Sequence, residues 1–309
     1  MFTNANYNFI QWRWHALAFS TLIVLAGVFL VVTRGLPLGI DFSGGTIVVV
    51  KFAQPTGDEA VRAALETAIP GEKVVQQYGD AANNEVLVRL PQIAVEEGAS
   101  LEQGARAVVD AITKANIGSF EVISQEIVGP VIGRDLQLKG IYATLASIVG
   151  ITLYIGVRFR FAFAIGAIAA TLHDVLVTVA FLTFMGYDLS LNVVAALLTI
   201  TGYSVNDTIV IFDRVRENLR TKRRDPLDQV VNLSVNQTLS RTIITAGTTF
   251  LAVLSLYIFG GEVLEGFAFT MLVGIVSGTY STVFIAAAIA ILVSGRQAKG
   301  RPQAARKAS

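Results

Sequence analysis

Asp207 is the residue best placed for chemistry in this 309-residue chain, because it lies inside an apolar stretch running from Leu189 to Phe212. An ionised carboxylate in hydrocarbon is disfavoured by roughly 2.5–3.5 kcal/mol even on the mildest insertion scale. It must face protein or water, pair with a cation, or carry a proton. Arg241, near the start of a later apolar stretch, offers the cation. An acid and a base inside a membrane are the usual equipment of ion-coupled transport. Asp207 sits about six residues from the end of its stretch, roughly 9 Å deep at about 1.5 Å per residue. Arg241 is expected only a few residues into a span entered from the same side, so the depths match. Arg241, Thr245 and Thr248 share a helical face. The alternatives are a static buried ion pair and an arginine that snorkels to the interface.

Further polar residues accompany the pair. Asn192, Thr199, Tyr203 and Asn206 recur at spacings of seven and four, which return to one helical arc, with Ser204 and Asp207 beside it. A lone Asn or Thr in a membrane helix usually bonds its neighbour. A continuous stripe ending in a carboxylate reads instead as the lining of a wet path. His173-Asp174 falls near the middle of another apolar stretch, with Thr178 one turn on. Neighbouring helical residues point about 100° apart, so the two are not expected to pair with each other. The cluster reads as functional or as critical for packing. Gly39, Asp41, Gly44 and Gly45, in GIDFSGGT, mark a turn and hinge rather than a phosphate loop, since a strand is expected to follow. Gly266, Thr270, Gly274 and Gly278 form a small-residue ridge for close helix packing.

These residues need elements to hold them. With 53% hydrophobic and 15% charged residues and a mean hydropathy of +0.60, the chain reads as an integral membrane protein. Six spans are expected near 14–33, 138–157, 161–186, 189–212, 239–260 and 266–293. The first is read as a retained anchor, its apolar run being longer than a signal core. Arg158 and Arg160, the basic loop at 214–224 and a basic tail at 296–309 lie on one side, while the loops at 186–188 and 259–265 carry no Lys or Arg. Both termini are therefore expected inside and the segment 35–135 outside. That segment reads as strand Thr46–Phe52, helix Asp58–Ala68 opened by Thr56 and Asp58 and closed before Pro70-Gly71, strands Lys73–Tyr78 and Val86–Leu90, helix Leu101–Ala115 and strand Phe120–Ile127.

The fold class expected is thus an α-helical membrane protein with six transmembrane helices. A small α+β ferredoxin-like (β-α-β-β-α-β) domain is inserted between helices 1 and 2. The divisions are 1–34 for the first segment and span, 35–135 for the domain, 136–295 for the five-helix bundle and 296–309 for the tail. A net charge of +1 gives no case for nucleic acid, and with no Cys and only two His no metal site is expected. No GxxxxGK[ST], HExxH, GxSxG or GxGxxG motif is present, so neither an ATPase nor a hydrolase is expected, and a gradient is the energy source.

GIDFSGGT at Gly39–Thr46, the pair His173-Asp174, TGYSVNDTIVIFDRVREN at Thr201–Asn218 and LSRT at Leu239–Thr242 resemble the SecF subunit family of bacterial protein translocase, within the resistance-nodulation-division superfamily. The resemblance implies a heterodimer with a SecD-like subunit in the bacterial inner membrane, with the inserted domain periplasmic. It implies work beside the SecYEG channel, with YajC and YidC as further companions, on a translocating preprotein. It also implies that the proton-motive force, and no cofactor, drives the work. Asp207 and Arg241 match the family's acid and arginine implicated in proton passage, and His173, Asp174, Asn206, Ser204, Tyr203 and Thr199 are the supporting polar groups. The rival readings are a proton-coupled small-molecule exporter, a scaffold for the channel, and an intramembrane aspartyl protease using Asp188 and Asp207.

Overall fold

Among the described residues, six helices long and apolar enough to cross a membrane arise from the six apolar stretches. The computed structural model describes residues 6–69, 73–79, 81–91 and 101–299. A 3-10 turn at Phe9–Trp12 leads into α1, Arg13–Arg34, and a one-turn helix, α2, Ile40–Ser43, leads into the small domain. The domain runs β1 Gly45–Phe52, α3 Asp58–Ala68, β2 Val74–Tyr78, β3 Glu85–Pro91, α4 Leu101–Ala115 and β4 Phe120–Val128. Then follow α5 Pro130–Arg158, α6 Phe161–Met185, α7 Leu191–Thr221, α8 Leu227–Phe259 and α9 Glu262–Ser281. A π-helical turn, Thr282–Ala286, joins α9 to α10, Ala287–Lys299.

The domain's four strands pair antiparallel in the order β2-β3-β1-β4, the ferredoxin-like arrangement. Alternation dictates its core. Val48, Val50 and Phe52 of β1 point to the same face as Val86, Val88 and Leu90 of β3. There they meet Val61 and Leu65 of α3 and Val108 and Ile112 of α4. The N-cap of α3 is Gly57, without a side-chain cap, and Thr56 Oγ1 donates to the Gln54 carbonyl instead of opening the helix. Pro70-Gly71 and the tail at 300–309, including Arg301, Arg306 and Lys307, lie outside the described residues.

In the bundle, lipid is as apolar as leucine, so close backbone packing drives association. The ridge on α9 packs on α7: a Cβ at Gly266 would meet Val193, one at Gly274 would fall 2.1 Å from Ile200, and one at Gly278 would fall 3.0 Å from Ser204. Gly166 of α6 lies against the Ala286 carbonyl and Ala290, and Gly27 of α1 against Ala180.

Two extents differ from the sequence expectation. The basic segment 214–224 is mostly not a loop, because α7 continues through Thr221 and α8 already starts at Leu227. The continuation is polar but well bonded. Arg158 grips Asp213 at 2.7 and 2.9 Å, Arg214 Nε donates to Gln237 at 2.7 Å, and Asn218 Nδ2 donates to Ser234 and Gln237 at 2.9 and 2.8 Å. Arg241 therefore lies about four turns into α8 rather than near its first turn.

Candidate functional site

The apolar stretch of α6 carries Asp174 into the bundle, where the side chain is 1% exposed. Its carboxylate is a hub for three helices. Ser204 Oγ of α7 and Ser281 Oγ of α9 donate to Oδ2 at 2.5 and 2.7 Å. Ser277 Oγ of α9 donates to Oδ1 at 2.8 Å. His173 Nδ1 lies 3.1 Å from the same Oδ1. Where Asp174 is ionised it can only accept, and the bond then takes the proton on Nδ1. His173 and Asp174 thus pair, contrary to the expectation from their Cα directions. Torsion of both side chains closes an angle that the backbone alone leaves open. His173 Nε2 is buried without a hydrogen-bond partner.

Asp207 has a different environment. It is 4% exposed and on the same helix as Ser204, yet its Oδ2 is buried without a donor. Thr242 Oγ1 on α8 is likewise buried without a partner. Arg241 on α8 is near enough for its charge to act on Asp207. Among the described residues no ion pair within 4 Å joins the two. Arg241 is itself exposed at the surface of the chain.

The polar stripe faces differently from the sequence reading. Asn192, Thr199 and Asn206 are exposed, on the outside of α7, while Ser204, Asp207 and Thr208 are buried. An arc fixes which residues share a face but not where that face points. Among the described residues, Asn192, Thr199 and Asn206 therefore line no path inside this chain, while Tyr203 is half-buried. Thr248 of α8 is exposed as well, as is Arg241.

The glycine motif forms a neck that joins domain to bundle. Gly39 N–H donates to the Leu189 carbonyl at 2.8 Å, and Leu189 N–H donates to the Pro37 carbonyl at 2.7 Å. Asp41 Oδ2 accepts from the Leu191 N–H at 2.8 Å, so the motif's carboxylate caps the first turn of α7. Gly44 and Gly45 have φ of 72° and 138°, a region that favours glycine. The backbone of this turn packs against Gly133 of α5. Two further ties hold the same end. Arg89 of β3 pairs with Asp188. Tyr187 Oη donates to Glu265 Oε1 at 2.5 Å and lies 3.2 Å from Tyr257 Oη. Burial first, then the bond to Glu265, pushes the Tyr187 phenol pKa up.

Asp188 and Asp207 form no dyad. Asp188 precedes α7 and is engaged by the domain, whereas about 24 Å of helix separates Leu191 from Asp207. Ser277 and Ser281 were not singled out in the sequence. The available signal was their spacing of four, on a span already marked by Gly274 and Gly278.

Fold and site together define a multi-pass membrane protein with a ferredoxin-like domain after its first span and a buried polar hub among its later helices. Residues 108–296 match the family described as protein export membrane protein SecD/SecF, C-terminal, and residues 29–56 match the SecD/SecF GG motif. The protein translocase subunit SecF of Rhodothermus marinus is 42% identical over 308 residues, covering 97% of each chain. That of Escherichia coli O157:H7 is 37% identical, covering 92% of this chain and 87% of the relative. The crystal structure of SecDF, a translocon-associated membrane protein from Thermus thermophilus, superposes with a TM-score of 0.84 at 34% identity. That alignment covers 96% of this chain and 39% of the SecDF chain. SecDF in its super-membrane-facing form gives 0.71 at 35% identity, covering 99% and 40%. The chain belongs to the SecF family of protein translocase subunits.

Proposed function

We propose that this chain is the auxiliary subunit of a protein-export machine that, with a SecD-like partner in a heterodimer, uses the proton-motive force to promote preprotein translocation through a SecYEG channel. YajC and YidC are further companions in this reading. The setting is the bacterial inner membrane, with both termini cytoplasmic and the ferredoxin-like domain periplasmic. The chain works as a transport component without cofactor rather than as an enzyme. Names of relatives and the coverage of SecDF support the export role.

One observation carries the mechanism: α7 bears Asp207 at depth and has its first turn capped by Asp41 of the domain neck. Asp207 is the exchanging carboxylate, because its Oδ2 is free of donors, whereas Asp174 must first break hydrogen bonds to take a proton. A proton arriving from the outer side removes the attraction between Asp207 and Arg241. The helices then repack, and release to the cytoplasm restores the charge. Asn206, Ser204, Tyr203, Thr199, His173 and Asp174 support this cycle, and Gly39, Asp41, Gly44 and Gly45 act as its hinge. The exposed face of Asn192, Thr199, Asn206, Arg241 and Thr248 supports placing the SecD-like partner there, since polar groups turned to lipid are disfavoured.

The test is proton-gradient-dependent export of a preprotein in membranes carrying Asp207→Asn at matched expression. Loss of export with the heterodimer still assembled is expected. Full export would leave the scaffold reading ahead.

A further inference from the structure

At the end of the bundle opposite the domain, a cavity of about 700 Å³ opens between the N-terminal segment and the first turns of α8. The charged groups lining it are of opposite sign, Arg13 at the start of α1 and Asp228 at the start of α8. Amides of Asn6, Gln11 and Gln229 and the indole of Trp14 also line it. Internal hydrogen bonds set its shape. Asn232 Nδ2 and Asn236 Nδ2 donate to the Tyr7 carbonyl at 3.0 and 2.8 Å, and the Tyr7 N–H donates to Asn236 Oδ1 at 2.8 Å.

Three features bear on an occupant. Arg13 Nε is buried without a hydrogen-bond partner, and the guanidinium carbon lies 5.9 Å from the Trp14 ring centroid. A buried guanidinium N–H left unpaired is costly, and the fork suits a phosphate. Trp12 and Trp14 are 62% and 57% exposed, immediately before the apolar run of α1. Exposed indoles at the end of a span sit at the headgroup level of a bilayer. The cavity thus opens at the depth where lipid phosphates lie, and its volume is that of a small-ligand site.

We infer that this cavity is a binding site for a zwitterionic lipid headgroup of the phosphoethanolamine class, with the phosphate on Arg13 and the primary ammonium on Asp228. An anionic headgroup would meet Arg13 but oppose Asp228. A phosphocholine headgroup brings a cation whose methyl groups cannot donate to a carboxylate. The inference does not use Asp207 and stands apart from the export reading.

Native mass spectrometry of the full chain, purified with its partner subunit, tests it by titrating phosphatidylethanolamine, phosphatidylglycerol, phosphatidylcholine and free phosphoethanolamine. Wild type is expected to retain phosphatidylethanolamine above the other three. Arg13→Gln is expected to lower that retention about tenfold, as for loss of one charge-assisted contact. Arg13→Lys should keep part of it, and Asp228→Asn should erase the preference over phosphatidylglycerol. Equal retention of all lipids, or a preference unchanged in both Arg13→Gln and Asp228→Asn, overturns the site. Free phosphoethanolamine competing at the lipid's own concentration would overturn the lipid as its source. An unchanged unfolding midpoint shows that each variant is folded, and Arg13→Lys reads the contact if Arg13→Gln is not.

Discussion

If Asp174 is the hub of three helices, its serine partners should matter only while its carboxylate is present. Ser204, Ser277 and Ser281 each donate to it at 2.5–2.8 Å, in a place where no bulk water can substitute. Hydrogen bonds between membrane helices contribute about 0.6 kcal/mol on average and up to about 1.7 kcal/mol. Replacing all three serines by alanine should therefore cost about 2–5 kcal/mol. Much of that cost comes from leaving a buried carboxylate with only His173. Asp174→Leu, similar in size but apolar, removes the need for donors. On that background the same three alanines should cost under about 1 kcal/mol in total, giving a coupling of about 1–4 kcal/mol. The assay is the midpoint of reversible denaturant unfolding in lipid bicelles, followed by far-ultraviolet circular dichroism, for the four corners of the cycle. Equal cost of the triple change on both backgrounds would refute the hub.

Other changes probe the ridge, the neck and the domain contact. Gly274→Ala places a Cβ 2.1 Å from a buried Ile200 carbon and should cost about 1–3 kcal/mol, with Ile200→Ala restoring part of it. An unaltered unfolding temperature for the single variant would show that α7 and α9 do not meet there. Asp41→Ala removes the acceptor of the Leu191 N–H, leaving the N-cap Ser190 on the Val193 N–H, and should speed exchange of the Leu191 amide about fivefold, for a loss of about 1 kcal/mol. Unchanged exchange there would count against the cap. Arg89→Gln and Asp188→Asn, at side chains 17% and 30% exposed, should show a coupling of about 1 kcal/mol in a double-mutant cycle, and strict additivity would dismiss the tie. The raised Tyr187 pKa means that the folded chain keeps a proton the unfolded chain releases above about pH 10. That contribution to stability is full below pH 10 and falls as pH rises further, so Tyr187→Phe should flatten the alkaline limb of the stability curve. A limb identical in both proteins would sink this reading.

The six spans and the ferredoxin-like order were legible because both are written locally, in apolar length and in alternation along single strands. The ridge Gly266, Thr270, Gly274 and Gly278 was legible for the same reason, since a spacing of four reports one face. What lay beyond reach was absolute facing. Asn192, Thr199 and Asn206 share an arc with one another, yet only the neighbouring helices decide that the arc points outward and Ser204 inward. Ser277 and Ser281 look ordinary in a membrane helix, where a hydroxyl commonly bonds the carbonyl four residues back. Their partner Asp174 is 103 and 107 residues away. The extension of α7 and α8 past the apolar limit was hidden because charge patterning looks alike in a polar loop and in a solvated helix. The backbone of α7 continues as helix through Thr221, and Asp213, Arg214 and Asn218 find partners on neighbouring elements.

The joined extensions of α7 and α8 have a mechanical consequence. Helices of 31 and 33 residues are about 46 and 50 Å long, against a hydrocarbon core of about 30 Å. The remaining 15–20 Å of this hairpin projects past the bilayer as a stiff arm. Asn218, Ser234 and Gln237 clamp its two helices together, so the arm turns as one body. Because the arm continues the helices that carry Asp207 and Arg241, with about 21 Å of helix from either residue to the tip, a tilt of about 10° at their depth moves the tip by about 4 Å. A small rearrangement around a buried carboxylate is thereby amplified into a displacement of several ångströms at the tip.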